Sequence, residues 1–191
     1  MQVITNEEKP VSIFISYRRS DSQSSTGRIY DRLRERFGAQ CIFRDIDSIP
    51  LGVSFPQLLR ATLSQTNAVL VIIGPTWLTV ENDCGQPRLE DAEDFVRMEV
   101  ETSLRLNVPV VPVLVDNASM PMATQLPSSI EELSLRNGIS VRPDPDFHHD
   151  VDRLTVKLEE IVDAPPPAPS ASEAVEKQIA ELELENTLLR L

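Results

Sequence analysis

Two stretches of this chain are apolar throughout, AVLVII at 68–73 and VVPVLV at 110–115, and VSIFISY at 11–17 is nearly so. A strand with one wet face alternates apolar and polar residues; strands like these need cover on both faces. Between them the apolar period changes to that of a helix. Ile29, Leu33 and Phe37 fall four apart within 24–37, and Gly38 stops that segment. Leu58, Leu59 and Leu63 mark a second helix over 55–66, and a third is expected up to Leu106, capped by Asp91 with Glu93 and Asp94 in its first turn. Further strands are expected at 41–44 and 139–142, a short helix at 128–134 and a last helix at 147–162. Strands alternating with helices predict an α/β fold: a doubly wound, five-stranded parallel sheet covered on both sides. Ligands of such sheets sit beyond the carboxyl ends of the strands, where strand order reverses.

The two ends of the chain read differently. Residues 1–10 are polar, carry Glu7, Glu8 and Lys9, and are expected to be disordered rather than a signal peptide. Residues 163–172 hold four prolines among small residues and read as an extended linker. Beyond them Ser170 and Glu173 fit a capping box. Val175, Ile179, Leu182, Asn186 and Leu189 then repeat at intervals of 4, 3, 4 and 3, a coiled-coil seam with Asn186 at an a position. Such a seam favours a parallel dimer in one register, a homo-oligomer of this chain; the other reading is an amphipathic helix packed on the domain. The seam at 173–191 is short for a free-standing helix, so the natural chain is expected to continue past Leu191. The domain proper is therefore 11–162.

Composition excludes several classes. No apolar run approaches the roughly 20 residues that cross a bilayer, and the formal charge of −12 disfavours nucleic acid and anionic membranes. Cys41 and Cys84 form no pairing pattern, which points to a reducing, cytoplasmic setting. The six glycines are scattered and give neither GxGxxG nor a Walker loop. His148 and His149 have no partner at metal spacing, so no metal site is expected, and a Ser-His-Asp triad lacks its histidine elsewhere. A phosphoacceptor receiver needs acids after its first strand. Here that strand ends in Ser16-Tyr17-Arg18-Arg19, and the strand at 68–73 ends in Gly74-Pro75.

FISYRR, FRDID at 43–47, the GPTWL turn, DFVRMEVETSL at 94–104 and the VVPVLVD strand occur in that order. Together they resemble the Toll/interleukin-1 receptor (TIR) domain family, bacterial type, over about 11–162. The resemblance implies a flavodoxin-like sheet and either NAD⁺ cleavage or adaptor-like self-association. Glu99 matches the catalytic glutamate of the NAD⁺-cleaving members. Without the resemblance it is an ordinary solvated charge on a helix that also carries Glu93 and Glu101. The resemblance makes NAD⁺ a substrate rather than a cofactor. It would be cleaved to nicotinamide and ADP-ribose or a cyclic isomer, in the manner of bacterial immune effectors that act when assembled through TIR–TIR contacts.

Further substrate contacts follow from the same match. Arg18 and Arg19 are expected to face the cleft and take the pyrophosphate, with a surface ion pair as the alternative. Tyr17 either packs under the nucleotide or ends the strand. Asp45 matches a family acid after the second strand. Phe95, four residues before Glu99, stacks on nicotinamide or belongs to the core. Trp77 reads as core. Pro50 departs from relatives that present an acid there and resembles the loop proline of signalling adaptors. Two rival readings therefore stand beside the nucleosidase: a noncatalytic interaction module, and a nucleotide sensor without turnover.

Overall fold

The structure, a computed structural model, describes residues 11–44 and 54–164. Asp45, Pro50, the N-terminal ten residues, the proline-rich segment beyond Ala164 and the proposed coiled coil lie outside the described residues. The elements run β1 (Ile13–Ser16), α1 (Arg19–Phe37), β2 (Ile42–Arg44), α2 (Phe55–Leu63), β3 (Ala68–Ile73), α3 (Phe95–Arg105), β4 (Val110–Val115), β5 (Ile139–Val141) and α4 (Phe147–Asp163), with short 3-10 turns between them. The five strands form one parallel sheet in the order β2-β1-β3-β4-β5.

The apolar runs divide between two cores by strand alternation. Ile13 and Ile15 of β1, and Ala68, Leu70 and Ile72 of β3, face α1 and α4 and meet Ile29, Leu33, Val151 and Leu154. Phe14, Val69, Val71 and Ile73 face the other way, onto Leu59, Leu63, Val96, Val100 and Leu104 of α2 and α3. Each central strand is thus dry on both sides, which is why its sequence does not alternate. Pro112 is tolerated within β4: β5 begins pairing one residue later, at Val113.

Three element readings change. α1 begins at Arg19, five residues before the expected start at Ser24, and bends at Ser22. Its first turn is Arg-Ser-Asp-Ser, with no apolar stripe to mark it; the turn is held by Asp21 and Ser22 amides donating to the Arg18 carbonyl. α3 is capped by Asp94, whose carboxylate accepts the Arg97 amide at 3.0 Å. Asp91 instead accepts the Glu93 amide in a turn ahead of the helix. The segment after β4 forms 3-10 turns at Ala123–Gln125 and Glu131–Leu135 in place of an α-helix at 128–134.

Away from the strand ends that carry the candidate site, α4 is anchored by one buried carboxylate. Asp150 is fully buried and accepts the Arg142 amide and its guanidinium at 2.7–3.0 Å. Hydrogen bonds from Arg142 outweigh burial and hold the Asp150 carboxyl below its ordinary 3.8, at about 2. A group whose folded value is depressed stabilises the fold above its unfolded value, and that stability is lost as pH falls. Asp150→Asn is therefore expected to cost about 2 kcal/mol near neutral pH. The gap from the parent should close between pH 3.8 and 2 in urea titrations. A gap that stays constant over that window would contradict the assignment.

Candidate functional site at the strand-order switch

Strand order reverses between β1 and β3, so the segments leaving these strands define the crevice of the sheet. They are Tyr17–Arg19 and Gly74–Trp77. Asp21, on the first turn of α1, ties the two together. Its Oδ2 accepts the Gly74 amide at 2.8 Å, and its Oδ1 accepts the Thr76 amide and hydroxyl, each at 2.7 Å. Gly74 is required here for space: a Cβ would stand 2.4 Å from Asp21 Oδ2. Trp77 is 1% exposed and belongs to the core.

The tandem arginines part company. Backbone alternation at the strand exit turns Arg18 inward and leaves Arg19 exposed at the head of α1. Arg18 is 3% exposed, and its two Nη atoms each donate at 2.8 Å to the Asp94 carboxylate. The expectation that Arg18 faces the cleft with its fork open to a pyrophosphate is corrected: the fork is engaged inside the protein. Tyr17 is half-buried against the core on the α1/α4 side.

Asp94 gathers more than Arg18. Arg88 Nε lies 3.1 Å from its Oδ2, and the Arg97 amide caps onto its Oδ1. Arg97 in turn donates to the carbonyls of Leu89 and Glu90 at 3.1 and 2.9 Å, and to Ser129 Oγ at 3.3 Å. The start of α3 is thereby stitched to β1 and to the loop at 88–94. Asp94, Asp21, Arg88 and Arg97 were missed as site-building residues. The only signal was that Asp94, like Asp91, is a capping residue before an apolar period.

On this anchored helix Phe95 is 53% exposed and meets Phe55 edge to face, with centroids 4.6 Å apart. It is not a core residue. Glu99 follows one turn later and is only 7% exposed. The solvated-charge alternative for Glu99 does not hold. Glu99 is thus a sheltered carboxylate one helical turn from an exposed aromatic ring.

A family model described as TIR domain matches residues 13–155. The curated NAD(+) hydrolase sarm1 of Drosophila melanogaster is 25% identical over 135 residues, which is 71% of this chain and 9% of that protein. The chain thus spans about a tenth of that relative's length. Among solved structures, the TIR domains of the activated Roq1 resistosome directly recognizing the pathogen effector XopQ align with a TM-score of 0.57 at 13% identity, covering 78% of this chain and 99% of that one. A metazoan TIR-STING receptor from C. gigas, in complex with 2',3'-cGAMP, aligns with a TM-score of 0.50 at 21% identity, covering 80% of this chain and 39% of that one. At these identities both structures speak to the fold.

The Asp21 bridge gives a direct test. Its carboxylate cannot retreat from a new methyl group without giving up three hydrogen bonds. Gly74→Ala is expected to destabilise by about 1–3 kcal/mol. In an Asp21→Ala background the same change should cost less, by thermal or urea unfolding. Strictly additive losses would show that the two positions do not meet.

Proposed function

The chain belongs to the TIR-domain family, and from that membership we propose that it is an NAD⁺ nucleosidase, cleaving the bond between nicotinamide and ribose. One observation carries the reading: Glu99, a carboxylate only 7% exposed, stands one helical turn behind the exposed ring of Phe95. The match to a curated NAD(+) hydrolase over 71% of this chain supports the same activity.

The chemistry suits a single carboxylate. Ordinary glycosidases need two carboxyl groups because their leaving group must be protonated. In NAD⁺ the leaving group is a pyridinium, and nicotinamide departs as a neutral molecule when the C–N bond breaks. No general acid is needed. The remaining task is to hold the ribose hydroxyls and stabilise the positive charge that develops on the ribose, which an oriented, poorly hydrated anion does well. Water adding to the ribosyl cation gives ADP-ribose and releases a proton; capture by a nucleophile within the molecule gives a cyclic isomer.

The roles are assigned from the family match, with exposure separating Arg19 from Arg18. Glu99 is the catalytic residue. Phe95 offers its free face to the nicotinamide ring. Arg19, exposed where β1 gives way to α1, replaces Arg18 as the guanidinium for the pyrophosphate. Tyr17 supports that exit, and the family match gives Asp45 as an acid of the site. NAD⁺ is substrate, with no resident cofactor, and the setting is cytoplasmic. Assembly through TIR–TIR contacts and the C-terminal seam completes the site, in the manner of a bacterial immune effector. Among the described residues no helix is long and apolar enough to cross a membrane.

Nicotinamide release from NAD⁺, followed in concentrated or crowded protein, tests the reading. Glu99→Gln should lower kcat by about 100-fold or more while leaving the fold intact by circular dichroism. Phe95→Ala should mainly raise KM. Release that persists in folded Glu99→Gln contradicts the mechanism. No release under any assembly condition favours the interaction module, and tight NAD⁺ binding without release favours the sensor.

A further inference from the structure

The Arg18–Asp94 pair joins the exit of β1 to the cap of α3, and Glu99 lies five residues beyond that cap on the same helix. We propose that Arg18 and Asp94 are positioning residues: their paired bonds set the height and rotation of the first turns of α3, and thereby where the Glu99 carboxylate meets the substrate ribose. The proposal rests on the nucleosidase reading and adds to it the device that places its catalytic group.

Four features of the pair carry this. Both side chains are almost fully enclosed, at 2% and 1% exposure, so neither is laid out for a ligand. The bond is doubled, Nη1 to Oδ2 and Nη2 to Oδ1, each 2.8 Å. Two parallel bonds fix orientation as well as distance; a lysine fixes only a point. Asp94 holds the helix at the same time, since the Oδ1 that takes Arg18 also accepts the Arg97 amide. One carboxylate therefore transmits the position of the sheet to the backbone of the helix. Finally, a buried ion pair is a weak source of net stability, because desolvation offsets attraction. Stability alone gives little reason for a paired charge here, whereas geometry does. A catalytic group displaced by about 1 Å loses on the order of 100-fold in rate.

Steady-state kinetics of the full chain on Arg18→Met, Asp94→Asn and the double variant test the idea. Asparagine caps helices as well as aspartate does, so Asp94→Asn removes the ion pair and retains the cap. Each single change is expected to lower kcat by about 100-fold with KM within threefold. The double variant should lose no more than the worse single, because both remove the same bond. Arg18→Lys should recover part of the loss. If instead Arg18 held the pyrophosphate, its substitution would raise KM, Asp94→Asn would not, and the two effects would multiply; that result overturns the proposal. Hydrogen exchange of the α3 amides gives a readout independent of turnover. It should quicken over Val96–Val100 in both variants while β3 stays protected, and unchanged exchange overturns the proposal. If Arg18→Met fails to fold, Arg18→Lys and Asp94→Asn decide by the same criteria. A parent chain that releases no nicotinamide sinks the nucleosidase reading, and the exchange comparison still decides whether the pair positions the helix.

Discussion

The carboxylate of Asp94 takes donors from three segments: Arg18 after β1, 76 positions away, Arg88 in the loop before α3, and the Arg97 amide within α3. Removing it would leave a buried guanidinium without a counter-charge, an uncapped helix and an untied loop. Each of these losses is individually of order 1 kcal/mol or more, and the unpaired buried charge is the largest. The architecture of the site hangs on this one group. Arg18 turns inward to it, and on the helix it caps, Phe95 is exposed while Glu99 one turn later is buried.

A second carboxylate performs the matching task at the switch point. Asp21 binds the strand-three exit through two amides and a hydroxyl, so the crevice floor is built from main chain held by α1. Both devices put acids to structural use within a chain of net charge −12. Along the α1–α4 seam the arginines Arg28, Arg32 and Arg36 meet Asp144, Asp152 and Glu159 in the same spirit. Those exposed pairs are screened by solvent and add little to stability.

The fold was legible where burial is two-sided. β3 and β4 were read to the residue, because six consecutive apolar residues leave little room for another assignment. The start of α1 was not legible: Ser, Asp and Gln carry no period, and that turn is stabilised by contacts with the segment leaving β3, some 50 residues away in sequence. The cap of α3 was misassigned between two aspartates because either satisfies the local rule, and only the approach of Arg18 separates them. The site was partly legible for the same reason. The spacing of Phe95 and Glu99 is local and could be read. The inward turn of Arg18 depends on a partner 76 positions away, which no local pattern encodes.

In the mechanism we propose, Glu99 acts on the nicotinamide–ribose bond from a helix fixed by Arg18 and Asp94, with the phosphates held elsewhere. The most direct measurement is a crystal structure of the Glu99→Gln variant with NAD⁺ bound. The nicotinamide ring is expected against Phe95, the ribose anomeric carbon within about 4 Å of the residue-99 side chain, and the Arg18–Asp94 pair intact. A phosphate seated on Arg18 with Asp94 displaced, or NAD⁺ bound away from residue 99, would contradict it.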